Sequence, residues 1–398
     1  MKKAVFIVSN AIDDATRIER HITTDSPAAS RKVFMWGDLL HSPEVETTII
    51  SLGRGRCNRS TTFFKSKVIK KGKAKVVFLP FSHVKYFSEL LTFLTLPLLI
   101  FSLHRREKKK EQAVIFYNRH PAYLLGLMMS YALGLRRFLD IEDGEISENI
   151  QGIKKVVQNI VIASYDKFCV HGAILACSAL DKMTTIQPTF CYYGYVQHME
   201  VIPRFSKEKI HFLLSGTIND ETGGQILYDA LLDIKNNDYY WKDKAVFEIS
   251  GQGDGIDKVR LLSQEDKLPQ LIVHGRLSNG DYQKLLLRTD VGLALKPVKG
   301  ELADTTFPSK VIEYANYGIL TISTDISDVR KVLGEKGAYY LSTNDHKLLV
   351  KHIESIVTER DKALEYAERG MVSIQKIANP KYIYLEMMRF LFQEERAQ

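Results

Sequence analysis

Residues 290–325, DVGLALKPVKGELADTTFPSKVIEYANYGILTISTD, constrain this chain more than any other stretch. An apolar run, a polar loop, a Pro308-Ser309-Lys310 opening of a helical pattern and a second apolar run predict strand, loop, helix, strand. Pro308 suits the first helical turn, where the N–H it lacks would find no intrahelical partner anyway. Backbone N–H groups at such a helix start carry partial positive charge and suit a diphosphate. Glu313, one turn further in, can accept both hydroxyls of a ribose. The plainer alternative is an ordinary amphipathic helix of an α/β domain, in which Glu313 only complements the helix dipole.

Three neighbouring segments extend the pattern. KIHFLLSGTINDETGG (209–224) predicts a strand whose Ser215-Gly216-Thr217 turn opens a phosphate-facing loop. AVFEISGQGDGIDKVRLLSQ (245–264) predicts a strand, then Gly251 and Gly253, then a helix, an arrangement in which glycine lets backbone approach a nucleotide closely. LIVHGRLSNGDYQKLLLRTDVGLAL (271–295) predicts a strand, a turn at His274-Gly275-Arg276, a helix and another strand.

In this order the four segments resemble the donor domain of the family 4 glycosyltransferases, which carries a Glu, seven residues, Glu pattern followed by a small-residue turn and an apolar strand. The resemblance implies the GT-B architecture: two doubly wound, Rossmann-like α/β domains facing across a cleft. It also implies transfer of a sugar, with retention, from a nucleotide-sugar donor, with no cofactor and no bound metal. Donor-binding residues implied are Ser215, Gly216, Thr217, Gly251, His274, Arg276, Lys296, Pro308, Ser309, Lys310 and Glu313, with Glu313 at the second Glu of the pattern. Lys296, Lys299 and Lys310 would compensate the charge of the leaving diphosphate. Two positions depart from the pattern. The first Glu falls at Thr305, which leaves Glu301 and Asp304 of the same loop as the candidates for a substitute catalytic carboxylate, and the family's phosphate-binding Arg and Lys fall near Thr217 and Thr222.

The N-terminal half alternates in the same manner. Strands are expected at 3–10, 32–36, 74–79, 112–117, 136–141, 167–170 and 189–193, with helices at about 14–24, 84–103, 121–134 and 151–163. The first strand-end loop, SNAIDDATRIER (9–20), offers Asn10, Arg17 and Arg20 in place of a glycine pair. Polar residues just beyond the carboxyl ends of parallel strands face the crevice of an open α/β sheet. Arg119 and His120 are therefore acceptor-side candidates, and Glu142 and Asp143 catalytic ones, with a local helix-cap role the alternative for His120. The expected domains are 1–200, which binds acceptor, and 201–380, which binds donor. A linker is expected at 197–209, and a last helix, 381–398, returns to the first domain.

Four cysteines without Cys-x-x-Cys spacing suggest neither a zinc ribbon nor a disulfide framework. No cleavable signal peptide is expected, which makes the protein cytoplasmic. Charge is uneven: residues 1–200 hold 28 Lys/Arg against 18 Asp/Glu, and residues 51–110 alone hold 15 Lys/Arg against Glu89 and Glu107. Between the basic clusters lies YFSELLTFLTLPLLIFSL (86–103), interrupted by Glu89 and Pro97. An apolar face beside basic clusters suits an interfacial helix on an anionic leaflet; the alternative is a core helix with solvated lysines. The expected partners are the nucleotide-sugar, a lipid-linked or oligosaccharide acceptor, and an anionic membrane met through residues 65–75 and 86–110. Nucleic acid is not expected, because no recognised module and no interleaved aromatics accompany the charge. The sequence thus reads as a glycosyltransferase of bacterial polysaccharide synthesis. A catalytically silent subunit of an assembly complex, or a nucleotide-sugar epimerase, is the alternative.

Overall fold

The computed structural model describes residues 2–23, 25–53, 63–84, 86–143, 152–196, 202–265, 267–298 and 303–393. The chain forms two compact units, Met1–Tyr192 with Lys381–Gln398, and Tyr193–Pro380. The division at Tyr192 precedes the expected linker, because the last strand of the first sheet, Thr189–Cys191, ends there. Val196 N–H already donates to the Ala378 carbonyl of the second unit at 2.8 Å.

The first unit is built on an eight-stranded sheet. Its strands run Thr189–Cys191, Ala173–Leu175, Arg136–Ile141, Glu111–Tyr117, Lys3–Ser9, Val45–Ser51, Ala74–Phe78 and Lys67–Lys71 from edge to edge. All neighbours are parallel except the final pair. Two strands escaped the sequence pattern, Val45–Ser51 and the lysine-rich Lys67–Lys71. The latter is an edge strand, where lysines discourage pairing with another chain.

Residues 32–36, expected as a strand, lie inside the helix Pro27–Leu40. Ser26 Oγ caps it by accepting the Ala29 N–H at 3.3 Å, and Pro27 stands in its first turn. Val33, Trp36 and Leu40 then fall on one buried stripe at helical spacing. The strand expected at 167–170 is also corrected: the helix Ile153–Phe168 runs through its start, and the strand is Ala173–Leu175.

Strand order fixes which face each helix covers, since parallel crossovers are right-handed. The step from Lys3–Ser9 to Val45–Ser51 runs one way along the sheet. The steps through Phe87–Arg106, Leu124–Ala132 and Ile153–Phe168 run the other way, so these three helices share the opposite face. The C-terminal helix Pro380–Phe392 belongs to this first unit, with Phe390 packed against Phe138 and Phe190.

In the second unit six parallel strands lie in the order Gln270–Gly275, Ala245–Gln252, Ile210–Thr217, Val291–Ala294, Leu320–Thr324, Tyr339–Leu341. In chain order within the unit this is 3-2-1-4-5-6, the doubly wound arrangement. Its winding reverses between Ile210–Thr217 and Val291–Ala294, and the carboxyl ends of these two strands flank the ligand crevice of such sheets. Phe212, Leu227, Leu231, Trp241, Phe247 and Ile353 fill the core on one side.

Candidate active site

The loop after Val291–Ala294 leads into the helix Lys310–Asn316, which places Lys310 and Glu313 one turn apart beside the winding reversal. Lys310 Nζ donates to Glu313 Oε2 at 2.5 Å and to the Tyr282 hydroxyl at 2.8 Å, and lies 4.6 Å from the Tyr282 ring centroid. Tyr282 OH lies 2.9 Å from Glu313 Oε2 and 2.9 Å from Ser215 Oγ, which in turn lies 2.9 Å from the buried Tyr314 OH. Each hydroxyl has one proton, which sets the direction of this chain. Tyr282 gives its proton to the carboxylate, Ser215 donates to Tyr282, and Tyr314 donates to Ser215. A relay from Tyr314 through Ser215 and Tyr282 thereby ends on one carboxylate, which keeps 15% of its side-chain surface exposed.

Tyr314 reaches the sheet only because residue 292 is glycine, since a Cβ there would stand 2.3 Å from the Tyr314 ring. Burial pushes the Tyr314 phenol well above its ordinary range, so it stays a neutral donor. Lys296, on the same loop, donates to Thr306 Oγ1 at 2.7 Å. Pro308 is buried, while Ser309 and Asp304 are exposed. Glu301 and Lys299 lie outside the described residues.

Gly216 and Thr217 are exposed at the strand end, and Thr222 is spent on structure. Its N–H donates to Asn219 Oδ1 at 3.0 Å while its Oγ1 accepts the Asn219 N–H at 3.2 Å, closing a capping box, and its hydroxyl donates to the Thr217 carbonyl at 2.6 Å. Gly251 has a structural task at the strand end. It adopts φ +150°, and a Cβ there would meet the Gly216 carbonyl oxygen at 1.7 Å, so glycine lets two strand ends run together.

His274 is engaged in a second cluster. With His211 and Arg288 it encloses Glu248, whose side chain is 1% exposed: His211 Nδ1 lies at 2.8 Å, His274 Nε2 at 2.7 Å and Arg288 Nε at 3.1 Å. Burial alone would raise the Glu248 pKa, but these donors outweigh it and hold the carboxyl at about 2. The depressed value stabilises the fold above the ordinary carboxylate pKa, and this contribution disappears as pH falls through 4.5 towards 2. Glu248→Gln is therefore expected to lose about 2–3 kcal/mol at neutral pH, with a difference from wild type that vanishes in acid, read by urea melts across pH. Arg276 is exposed.

At the strand ends of the first unit the expected candidates are drawn into pairs. Lys32 Nζ lies 2.8 Å from Asp140 Oδ1, also bonds Glu142, and sits 4.6 Å from the Trp36 ring centroid and 5.4 Å from that of Tyr192. Burial pushes the Asp140 carboxyl up to about 7, with the lysine opposing the shift. Glu142 is thus held at the strand end by a lysine that the misread strand at 32–36 concealed, while its neighbour Asp143 is exposed. Arg119 is buried rather than offered to an acceptor, donating to Asp166 at 2.8 Å and to the Met183 carbonyl at 3.1 Å. His120 takes the local role, with Nδ1 accepting the Ala122 N–H at 3.2 Å as a cap. Arg20 is likewise buried, bonding the carbonyls of Leu52, Gly53 and Leu79. Among the described residues no group of His, Cys, Asp and Glu is arranged to hold a metal ion.

Residues 197–371 match the family model of the glycosyl transferases group 1. No curated protein matches the chain significantly in sequence. Among solved structures, trehalose-6-phosphate synthase OtsA superposes with a TM-score of 0.70 at 10% identity, covering 99% of this chain and 100% of that one. TarM gives 0.68 at 11%, covering 98% and 99%. Anabaena HepE in complex with UDP gives 0.64 at 9%, covering 99% and 100%. The two doubly wound units together thus have the GT-B fold, and the match to the group 1 glycosyl transferase model falls almost entirely on the second unit.

Proposed function

We propose that the protein is a glycosyltransferase that takes a nucleotide-sugar in its second unit and passes the sugar, with retention, to a lipid-linked or growing oligosaccharide acceptor. The observation that carries this reading is the Ser215–Tyr282–Glu313–Lys310 cluster at the winding reversal of a 3-2-1-4-5-6 sheet. Glu313 presents an oriented carboxylate to a ribose, and Lys310 and Lys296 present cationic charge to a diphosphate that gains charge as the glycosidic bond breaks. The solved HepE complex, which holds UDP, supports a nucleoside diphosphate as the donor's leaving part. The work would take place at the cytoplasmic face of a bacterial membrane, in capsule, exopolysaccharide or O-antigen synthesis.

A thermal-shift screen against UDP-, GDP-, dTDP- and ADP-sugars tests the reading. A ligand at a hundred times its Kd adds about 2.7 kcal/mol of apparent stability, so one nucleotide series should raise Tm by several degrees. No shift with any series would end the proposal. The commitment of Thr222 to a capping box favours one second reading, a sugar-nucleotide-binding subunit without turnover. Slow release of free sugar from the stabilising donor excludes it, and the anomeric configuration of the transferred sugar decides retention.

A further inference from the structure

The helix Phe87–Arg106 turns apolar side chains to water as well as to the core. Its buried stripe includes the polar Ser88 and Thr92 with Leu96, Ile100 and Leu103, whereas its outer stripe is Phe87, Leu90, Leu94, Leu98 and Phe101, with Leu98 67% exposed. Leu91 and Phe93, which belong to the same apolar run, are only half-exposed. The exposure does not stop at one helix. Leu124–Ala132 packs between Phe87–Arg106 and Ile153–Phe168 and exposes Met128 and Tyr131, and Ile153–Phe168 exposes Val156, Val157 and Ile160, the last by 58%. Three adjacent helices on one face of the sheet thus turn large apolar side chains outward, and an apolar face of this kind marks an interaction surface.

Charge brackets this face at both ends. The helix Phe87–Arg106 delivers the chain to the start of strand Glu111–Tyr117, so the exposed Arg105, Arg106, Lys108 and Lys109 lie at the strand-start end. Ile153–Phe168 begins on the other side, beyond the end of strand Arg136–Ile141, and sets the exposed Lys154 and Lys155 at the strand-finish end, where Glu142 also lies.

We propose that the outer face of these three helices seats the first unit on an anionic lipid bilayer, with the apolar side chains in the headgroup and acyl boundary and the lysines and arginines on lipid phosphates. The proposal deepens the transferase reading, on which it rests for its purpose, and it moves the contact away from residues 65–75. Those lysines lie on and around the edge strand Lys67–Lys71 and its neighbour Ala74–Phe78, at the far border of the sheet. A bilayer fits better than a second copy of this chain, because two copies meeting face to face would bring like-charged ends together. It also fits better than a spanning helix. Phe87–Arg106 is long and apolar enough to cross a membrane, but Leu96, Ile100 and Leu103 are buried in the unit and would leave a gap in it.

The test is flotation of the full chain with phosphatidylcholine vesicles containing or lacking phosphatidylglycerol. Wild type is expected to float with the anionic vesicles, with a portion that resists high salt because apolar insertion is not screened. Leu98→Glu and Ile160→Glu, on different helices, should each lower the bound fraction on the order of tenfold, and Lys154→Glu with Lys155→Glu should remove the preference for anionic lipid. Lys70→Glu with Lys73→Glu should bind as wild type does. Absence of flotation at low salt overturns the proposal, as does wild-type binding by Ile160→Glu. So does a dimer in sedimentation velocity that Leu98→Glu and Ile160→Glu both dissociate. Nucleotide thermal shifts on the same variants report separately on the donor reading, which stands if they are unchanged.

Discussion

Replacing Lys32 by methionine is expected to cost the first unit about 3–5 kcal/mol, because it strands Asp140 and Glu142 beside one another without their cation. Asp140 is fully buried and lies at the end of a central strand, where water cannot replace the ammonium. The variant has one relief, protonation. Its deficit should be greatest near pH 8 and shrink as pH falls towards 5, since carboxyls left without a cation take up protons more readily when folded than when unfolded. Lys32→Arg keeps the charge and should recover part of the loss. Urea melts at several pH values measure all three effects, and a deficit independent of pH would show that Lys32 acts through packing on Trp36 and Tyr192 alone.

Lys310→Met is expected to lower turnover by about 10²–10³, the magnitude seen when one preorganised stabiliser of developing charge is removed. Ground-state affinity for the donor should change less than turnover, because the diphosphate gains charge only as the bond to the sugar breaks. Folding should change little, since Lys310 is 27% exposed and its loss leaves Glu313 still bonded to Tyr282. Turnover near the wild-type value would remove Lys310 from the chemistry.

The second unit was legible because its strands are short apolar runs separated by glycine turns, and a parallel strand buried on both faces must read so. Glu313, Lys310 and Ser215 were picked out by position along that pattern, and the structure brings them together through Tyr282. Tyr282 and Tyr314 were not, since nothing in a helical pattern marks which tyrosine turns its hydroxyl towards a strand end 67 or 99 residues distant. Those contacts are made by the winding of the sheet. His274 and Arg119 have protein partners that the sequence did not reveal, for a related reason. A polar residue at a strand end serves a ligand or a buried partner equally well in sequence, and Glu248 and Asp166 claimed them. In the first unit the error at 32–36 came from reading Val33, Phe34, Met35 and Trp36 as a strand, where the Ser26-Pro27 start signal governs. With it went Lys32.

The central claim is that the carboxylate of Glu313, held by Tyr282 and Lys310, receives the ribose of a nucleotide. Calorimetric titration of wild type and Glu313→Ala with UDP, GDP, dTDP and ADP tests it most directly. One of these should bind wild type at a single site and bind Glu313→Ala at least about a hundredfold more weakly, as expected when charge-assisted hydrogen bonds to two hydroxyls are lost, with the variant's melting temperature nearly unchanged. Equal affinity in a folded Glu313→Ala would contradict the account and return Glu313 to the plain role of complementing a helix dipole.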